Sequence, residues 1–224
     1  MGGALSAARD CLLNVSGSES KEEPEVEAYA PNPNNPTATF TVSGGVNGTF
    51  SAEIFLDRVP ITASNFIDLA NSGFYNGIHF HRVIPGFMLQ HGCPHARRAH
   101  ELSAGTGGPK DGTFKNLVTG GTESRSNGGN IVDEFISEDS NEAGTLSMAN
   151  TGEPNTGGSQ YFLNVADNES LDWFTGGESQ HPVFGRVITN FELCVRISRV
   201  ETSDDDPKRP IKMESIVISG LPTQ

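Results

Sequence analysis

Positive charge is scarce in this chain: 15 Lys and Arg stand against 28 Asp and Glu, a net charge of −13 over 224 residues. That balance excludes a general nucleic-acid-binding surface, which needs a basic face to neutralise phosphates, and it favours solubility. Long apolar runs are also missing. No stretch approaches the roughly 20 residues that span a bilayer. Arg9 and Asp10 interrupt the only apolar segment near the N-terminus, residues 4–15, so no secretory signal is expected. Cysteine is sparse, and Cys11, Cys93 and Cys194 lie far apart. Their spacing excludes a disulfide framework or a zinc pattern and points to a reducing, cytoplasmic compartment. In that setting the N-x-S/T sequons at Asn14, Asn47 and Asn168 read as chance matches.

Glycine and phenylalanine are plentiful, at 26 and 13 residues, which suggests many turns around an aromatic interior and therefore β architecture. Residues 1–36 are poor in large apolar side chains, carry five glutamates between Glu19 and Glu27, and end in Pro31-Asn32-Pro33-Asn34-Asn35-Pro36. Such a segment cannot offset its ordering entropy by burial and reads as a disordered acidic tail. The folded domain is then residues 37–224. It opens with two β-rich runs joined through Gly44-Gly45 and Asn47-Gly48, a hairpin pattern.

A helix follows, with Pro60 at its first turn, Ala63, Phe66, Ile67 and Ala70 on one face, and Gly73 as its stop. A second helix is expected from the capping-box pattern Thr189-Asn190-Phe191-Glu192. Short apolar strands are expected at residues 79–84, 87–90, 145–149, 161–165, 183–187 and 211–219. Eight strands and two helices predict a mainly β fold, a closed eight-stranded antiparallel β-barrel capped by the helices. Residues 91–133 are rich in Gly, Thr, Ser and Asn and too long for an ordinary connection, so they read as a loop rimming a binding site.

Two segments carry chemistry. One is Phe80-His81-Arg82-Val83-Ile84-Pro85-Gly86-Phe87-Met88-Leu89-Gln90; the other runs from Gly144 through Ala149-Asn150 to Gly158-Ser159-Gln160-Tyr161-Phe162. On strands, alternate residues share a face, so Arg82 with Ile84, and Gln160 with Phe162, are co-facial. An apolar pocket flanked by Arg, Gln and Asn suits a small ring attached to a peptide backbone. The segments hold no nucleophile–base pair and no carboxylate pair, and neither a metal nor a cofactor is implied. Cys93 with His91, His95 and His100 fits no standard zinc spacing. Arg97-Arg98 reads as a small solvated basic spot.

These two motifs closely resemble the cyclophilins, and the resemblance covers about residues 37–221. It implies a peptidyl-prolyl cis–trans isomerase that acts on proline-containing peptides and client proteins. By the same resemblance Arg82 is the catalytic arginine, and Phe87, Met88 and Phe162 form the floor and walls of the proline pocket. Gln90 and Gln160 hold the substrate backbone and orient the arginine, Ala149 and Asn150 offer a strand edge to the peptide, and Leu171 and His181 complete the pocket. Gly105 lies beside the neighbouring pocket. The competing reading is a binding or scaffold module that captures proline peptides with incidental catalysis. Taken singly, each of these residues has an ordinary structural explanation, and the joint match is what carries the site. Ser170 stands where many members carry tryptophan, which predicts weakened binding of cyclosporin-type ligands unless Trp173 swings into the gap. Tyr161 replaces a common phenylalanine and reads as tolerable.

Met1-Gly2-Gly3-Ala4-Leu5-Ser6 matches the N-myristoylation pattern. Gly2 is therefore a candidate acylation site. One myristoyl chain holds a membrane only marginally, so Cys11 is the candidate second signal for peripheral attachment. An ordinary leader on a soluble cytoplasmic protein is the alternative. The chain is read as a monomer.

Overall fold

The computed structural model describes residues 29–177 and 179–221. Gly2, Cys11, the Asn14 sequon and most of the expected tail lie outside the described residues. Residues 29–36 are described and pack on the domain. Asn35 is buried, and its side-chain amide donates to Glu53 Oε1 and Asp57 Oδ1, both at 2.7 Å.

The elements are β1 (Thr37–Gly44), β2 (Gly48–Ile54), α1 (Pro60–Asn71), β3 (Arg82–Ile84), β4 (Met88–His91), β5 (Gly112–Lys115), β6 (Thr122–Arg125), β7 (Thr145–Met148), β8 (Tyr161–Asn164), β9 (Val183–Thr189), α2 (Phe191–Ser198), β10 (Thr202–Ser203), β11 (Asp206–Pro207) and β12 (Ile211–Ser219). Single 3₁₀ turns occur at Pro94–Arg97 and Glu169–Leu171. In β1, Ala38, Phe40 and Val42 are buried while Thr37, Thr39 and Thr41 are half-buried, the period-two pattern of a strand with one face on a core. Helix α1 starts at Pro60, where a missing N–H costs nothing. Its next two N–H groups, of Ile61 and Thr62, donate to the Glu134 carboxylate at 3.0 and 2.8 Å, a favourable charge for a helix N-terminus. Gly73 follows the helix at φ +71°.

Helix α2 forms without the expected capping box. Asn190, its N-cap, adopts a left-handed conformation, and no side chain caps the helix. The Thr189 hydroxyl instead accepts the Ser51 N–H at 3.1 Å, because Thr189 is the last residue of β9 and faces β2.

The eight main strands form one antiparallel sheet in the order β12-β1-β2-β9-β7-β8-β4-β3. The expectation of a closed barrel is corrected here. The sheet is an open, strongly curled half-barrel with β12 and β3 as its edges. Its ends approach through one isolated bridge, His79 to Lys212, rather than a ladder. The reason is local: β3 is three residues long, and the Val83 N–H that would extend outward is taken by the Asp205 carbonyl at 2.8 Å. The hairpin β10–β11 thus covers the edge that a closing strand would use. Inside the curl, Phe66 of α1 lies between Tyr161 and Phe184 at centroid distances of 5.6 and 5.2 Å, and Phe40 stacks on Phe50 at 4.6 Å.

Residues 91–133 are not one featureless loop. They hold the Pro94–Arg97 turn and the β5–β6 hairpin. Arg97 is tied to the carbonyls of Asn76 and Phe74 at 2.5 and 2.6 Å rather than simply solvated.

Candidate active site

Strand register decides which motif residues meet. Arg82 pairs with Gln90, and Gln90 with Phe162; Ile84 pairs with Met88. Directly opposed residues share a face. Arg82, Ile84, Met88, Gln90 and Phe162 therefore project from one side of the sheet, while Val83, Leu89, Tyr161 and Leu163 enter the core on the other. Met88 and Phe162 are buried, yet neither belongs to that core cluster. They form a separate apolar floor outside the curl. Phe87 sits half-buried at the tip of the β3–β4 hairpin, which turns at Gly86 with φ +68°. Its carbonyl accepts the Val165 N–H and the Asn168 side-chain amide, both at 3.0 Å.

The two glutamines form one chain of hydrogen bonds. Gln160 Nε2 donates to the carbonyls of Gly105 and Gly107 at 2.8 and 2.9 Å, which fixes its Oε1 towards Gln90 Nε2 at 3.1 Å. Gly105 thus contributes a carbonyl, and its φ of +89° suits glycine. His181 closes the floor from the far side, edge-on to Phe162 at 5.1 Å. Its Nδ1 faces the Met148 carbonyl at 2.8 Å and therefore carries the proton, leaving Nε2 to accept the Ser179 hydroxyl at 2.6 Å. Burial lowers the His181 pKa, so the ring is neutral. The His181 N–H donates to the Leu171 carbonyl at 3.0 Å, which brings Leu171 to the same rim. Ala149 N–H donates to Gln160 O at 3.1 Å, and the Asn150 side chain donates to Gln180 O at 2.7 Å. The Asn150 main chain makes no hydrogen bond among the described residues and is free to meet a peptide.

Arg82 is half-exposed. Its Nε donates to Asp205 Oδ2 at 3.3 Å, and neither terminal nitrogen has a partner among the described residues. Beside it, His81 is half-buried, and both of its ring nitrogens are shielded from solvent without a hydrogen-bond partner among the described residues. Burial lowers the His81 pKa to about 4, Asp206 opposing the shift and Arg82 adding to it. A groove of about 680 Å³ adjoins Gln90 and Gln160, lined by Gly105–Pro109 of the long loop on one side and by Ala149 and Asn150 on the other. It lies beside the Met88–Phe162 floor, not over it.

Sequence reasoning missed the polar layer that supports this floor. Asn141, Ser147 and Asn164 are fully buried, and Asp172 nearly so. Asn164 Nδ2 donates to Thr145 Oγ1 at 2.9 Å and its Oδ1 accepts from Asn168 at 2.6 Å; Asn141 donates to Asp172 Oδ1 at 2.8 Å through its side chain. The layer ties the loops bearing Phe87, Leu171 and His181 to β7 and β8. Its only signal in the sequence was Thr145 and Ser147 alternating with apolar residues on β7. Trp173 does not fill the gap beside Ser170: its indole N–H donates to Ser137 O at 3.0 Å and its ring stacks on Phe135 at 5.6 Å. The cysteine and histidines near residue 91 are dispersed. His91 points into the core, Cys93 is buried, His95 lines the groove, and His100 meets Asp206. Asn168, one of the sequons, is buried and hydrogen-bonded.

Comparison with known proteins agrees with this geometry. The family model described as cyclophilin type peptidyl-prolyl cis-trans isomerase/CLD matches residues 37–218. Peptidyl-prolyl cis-trans isomerase A of Dickeya dadantii is 35% identical over 191 residues, covering 83% of this chain and 87% of that protein. Peptidyl-prolyl cis-trans isomerase ppi1 of Schizosaccharomyces pombe is 37% identical over 169 residues, covering 74% and 90%. A crystal structure of a Cryptosporidium parvum cyclophilin type peptidyl-prolyl cis-trans isomerase superposes with a TM-score of 0.65 at 26% identity, covering 84% of this chain and 99% of that one. A second structure of that protein, determined in the presence of the dipeptide Ala-Pro, gives 0.63 at 27% identity, covering 82% and 98%. The chain belongs to the cyclophilin-type peptidyl-prolyl cis-trans isomerase family.

Proposed function

We propose that this chain rotates X–Pro bonds in client polypeptides on the outer face of β3, β4 and β8, with Arg82 as the catalytic group. The observation that carries the reading is the guanidinium of Arg82, its terminal nitrogens free, co-facial with Gln90 and the Phe162 floor. An X–Pro bond is held planar by resonance, and its unaided isomerisation takes tens to hundreds of seconds. Twisting it localises a lone pair on the prolyl nitrogen. A guanidinium placed there donates to the twisted amide and gains little from the planar one, so it lowers the barrier rather than merely tightening binding. Arginine stays charged at any working pH, and the step needs no titrating acid or base.

In this reading Phe87, Met88, Phe162, Leu171 and His181 receive the proline ring. The main chain at Ala149 and Asn150 meets the peptide, and the groove beside Gly105 takes residues that precede the proline. A protease-coupled assay on an Ala-Pro-Phe-type peptide tests it. Acceleration by the wild type that collapses in Arg82→Ala supports the reading; a folded wild type without acceleration leaves a proline-peptide binding module.

Cyclosporin-type ligands bind weakly in this reading, because Ser170 offers no indole and Trp173 is held elsewhere by Ser137 and Phe135. Ser170→Trp tightens such binding by about tenfold, the worth of one added indole contact and donor. A titration in which the substitution changes nothing contradicts this.

A further inference from the structure

The hairpin β10–β11 has an unfavourable turn. Ser203 pairs with Asp206, so Asp204 and Asp205 are the two loop residues, at φ +49° and +67°. Two successive positive φ values make a type I′ turn, whose second position strongly prefers glycine. Asp205 occupies that position. Aspartate tolerates the left-handed region better than most residues but still less well than glycine.

The hairpin is nevertheless fastened to the catalytic strand at two points and to the long loop at a third. Asp205 O accepts the Val83 N–H at 2.8 Å, Asp205 Oδ2 accepts Arg82 Nε–H at 3.3 Å, and Asp206 Oδ2 meets His100 Nδ1 at 2.8 Å. His100 is itself at φ +57°, on the long loop that also supplies Gly105. Two connections distant in sequence thus clasp one another beside Arg82.

Resting on the reading of Arg82 as the catalytic group, we propose that Asp205 is a positioning residue for it. The carboxylate takes the inner Nε–H and leaves both terminal nitrogens for the substrate. A free arginine side chain carries substantial rotamer entropy, and fixing Nε removes part of that cost before the substrate arrives. The opposing effect is partial neutralisation of the guanidinium field. With both side chains nearly half-exposed, at 45% and 46%, solvent screens that field strongly, and orientation is the larger effect.

The turn geometry supplies a clean test. Asp205→Gly removes the carboxylate while suiting the backbone, so the hairpin is kept or strengthened. Asp205→Asn keeps an acceptor for Nε–H and tolerates the same conformation. The expected result on an X–Pro peptide is a three- to tenfold fall in kcat for Asp205→Gly with KM within twofold, and partial recovery in Asp205→Asn. Thermal unfolding of both variants stays at or above that of the wild type. Asp205→Gly with wild-type kcat overturns the proposal, because Arg82 then holds itself; a raised kcat overturns it as well, because Asp205 then restrains the arginine. Arg82→Ala in the same series separates the two levels. If that variant stays active, the assignment of Arg82 fails; if it is inactive while Asp205→Gly is not, only the positioning role fails.

Discussion

The two faces of β3, β4 and β8 are built from alternate residues of the same strands and do opposite things. On the outer face, Arg82, Gln90 and Phe162 keep polar groups within reach of a ligand and are propped by a fully bonded polar layer. On the inner face, Leu89, His91, Tyr161 and Leu163 are buried in an aromatic core. Two polar groups there have no partner among the described residues: the Tyr161 hydroxyl and His91 Nδ1. The outer face can leave donors free because solvent or substrate meets them. The inner face carries the same kind of vacancy at a cost in stability, since an unbonded buried polar group forfeits its hydration. The comparison teaches that function and stability separate by residue parity along a strand.

Substitutions can break or sharpen that separation. The largest effect is expected inside: Leu163→Ala lowers the unfolding free energy by about 2–5 kcal/mol, the cost of a core cavity, with kcat/KM of the remaining folded protein little changed. Urea unfolding beside an activity assay checks both halves. Outside, the effect reverses. Arg82→Ala lowers kcat/KM by about 100-fold, or about 2.7 kcal/mol, as for loss of one charge-stabilising donor, and shifts stability by less than about 0.5 kcal/mol.

Acid reaches the inner face through His91. Burial lowers its pKa to about 3, with only the Ile78 carbonyl hydrogen bond opposing. Above about pH 6.5 the ring is neutral in folded and unfolded chains alike and contributes nothing to the pH dependence. Below that pH the unfolded chain binds a proton that the folded one refuses, so this group removes stability progressively as the pH falls towards about 3. Unfolding midpoints at pH 7 and pH 5 measure this, and His91→Gln flattens the slope. The smallest effect is a gain. Tyr161→Phe removes the unpartnered hydroxyl and raises stability by about 1 kcal/mol, with activity unchanged; a loss of stability in thermal unfolding would show that the hydroxyl is bonded after all.

Much of this was legible in the sequence because its signals are local. The β-rich run closed by Gly44-Gly45 marked β1, Pro60 and Gly73 bounded α1, and alternation put Arg82 with Ile84, and Gln160 with Phe162, on one face. What escaped depends on partners far along the chain. Thr189 looked like a helix cap, yet β2 claims its hydroxyl through Ser51. Closure of the barrel looked natural from the strand count, yet the short hairpin at residues 202–207 takes the edge of β3. The support of the site by Asn141, Asn164, Asn168 and Asp172 joins positions up to 81 residues apart, and no short motif announces it. Tyr161 looked tolerable as a phenylalanine replacement because the sequence does not show that its hydroxyl ends in an apolar pocket.

The most direct test of the central claim separates capture of the peptide from rotation of its bond. Exchange-type NMR on an X–Pro peptide at substoichiometric enzyme reports both, through line broadening on binding and cis–trans cross-peaks on turnover. The account predicts cross-peaks with the wild type, and with Arg82→Ala it predicts retained broadening while the cross-peaks vanish. Cross-peaks of equal intensity in the variant would contradict it, because rotation would then not depend on the guanidinium.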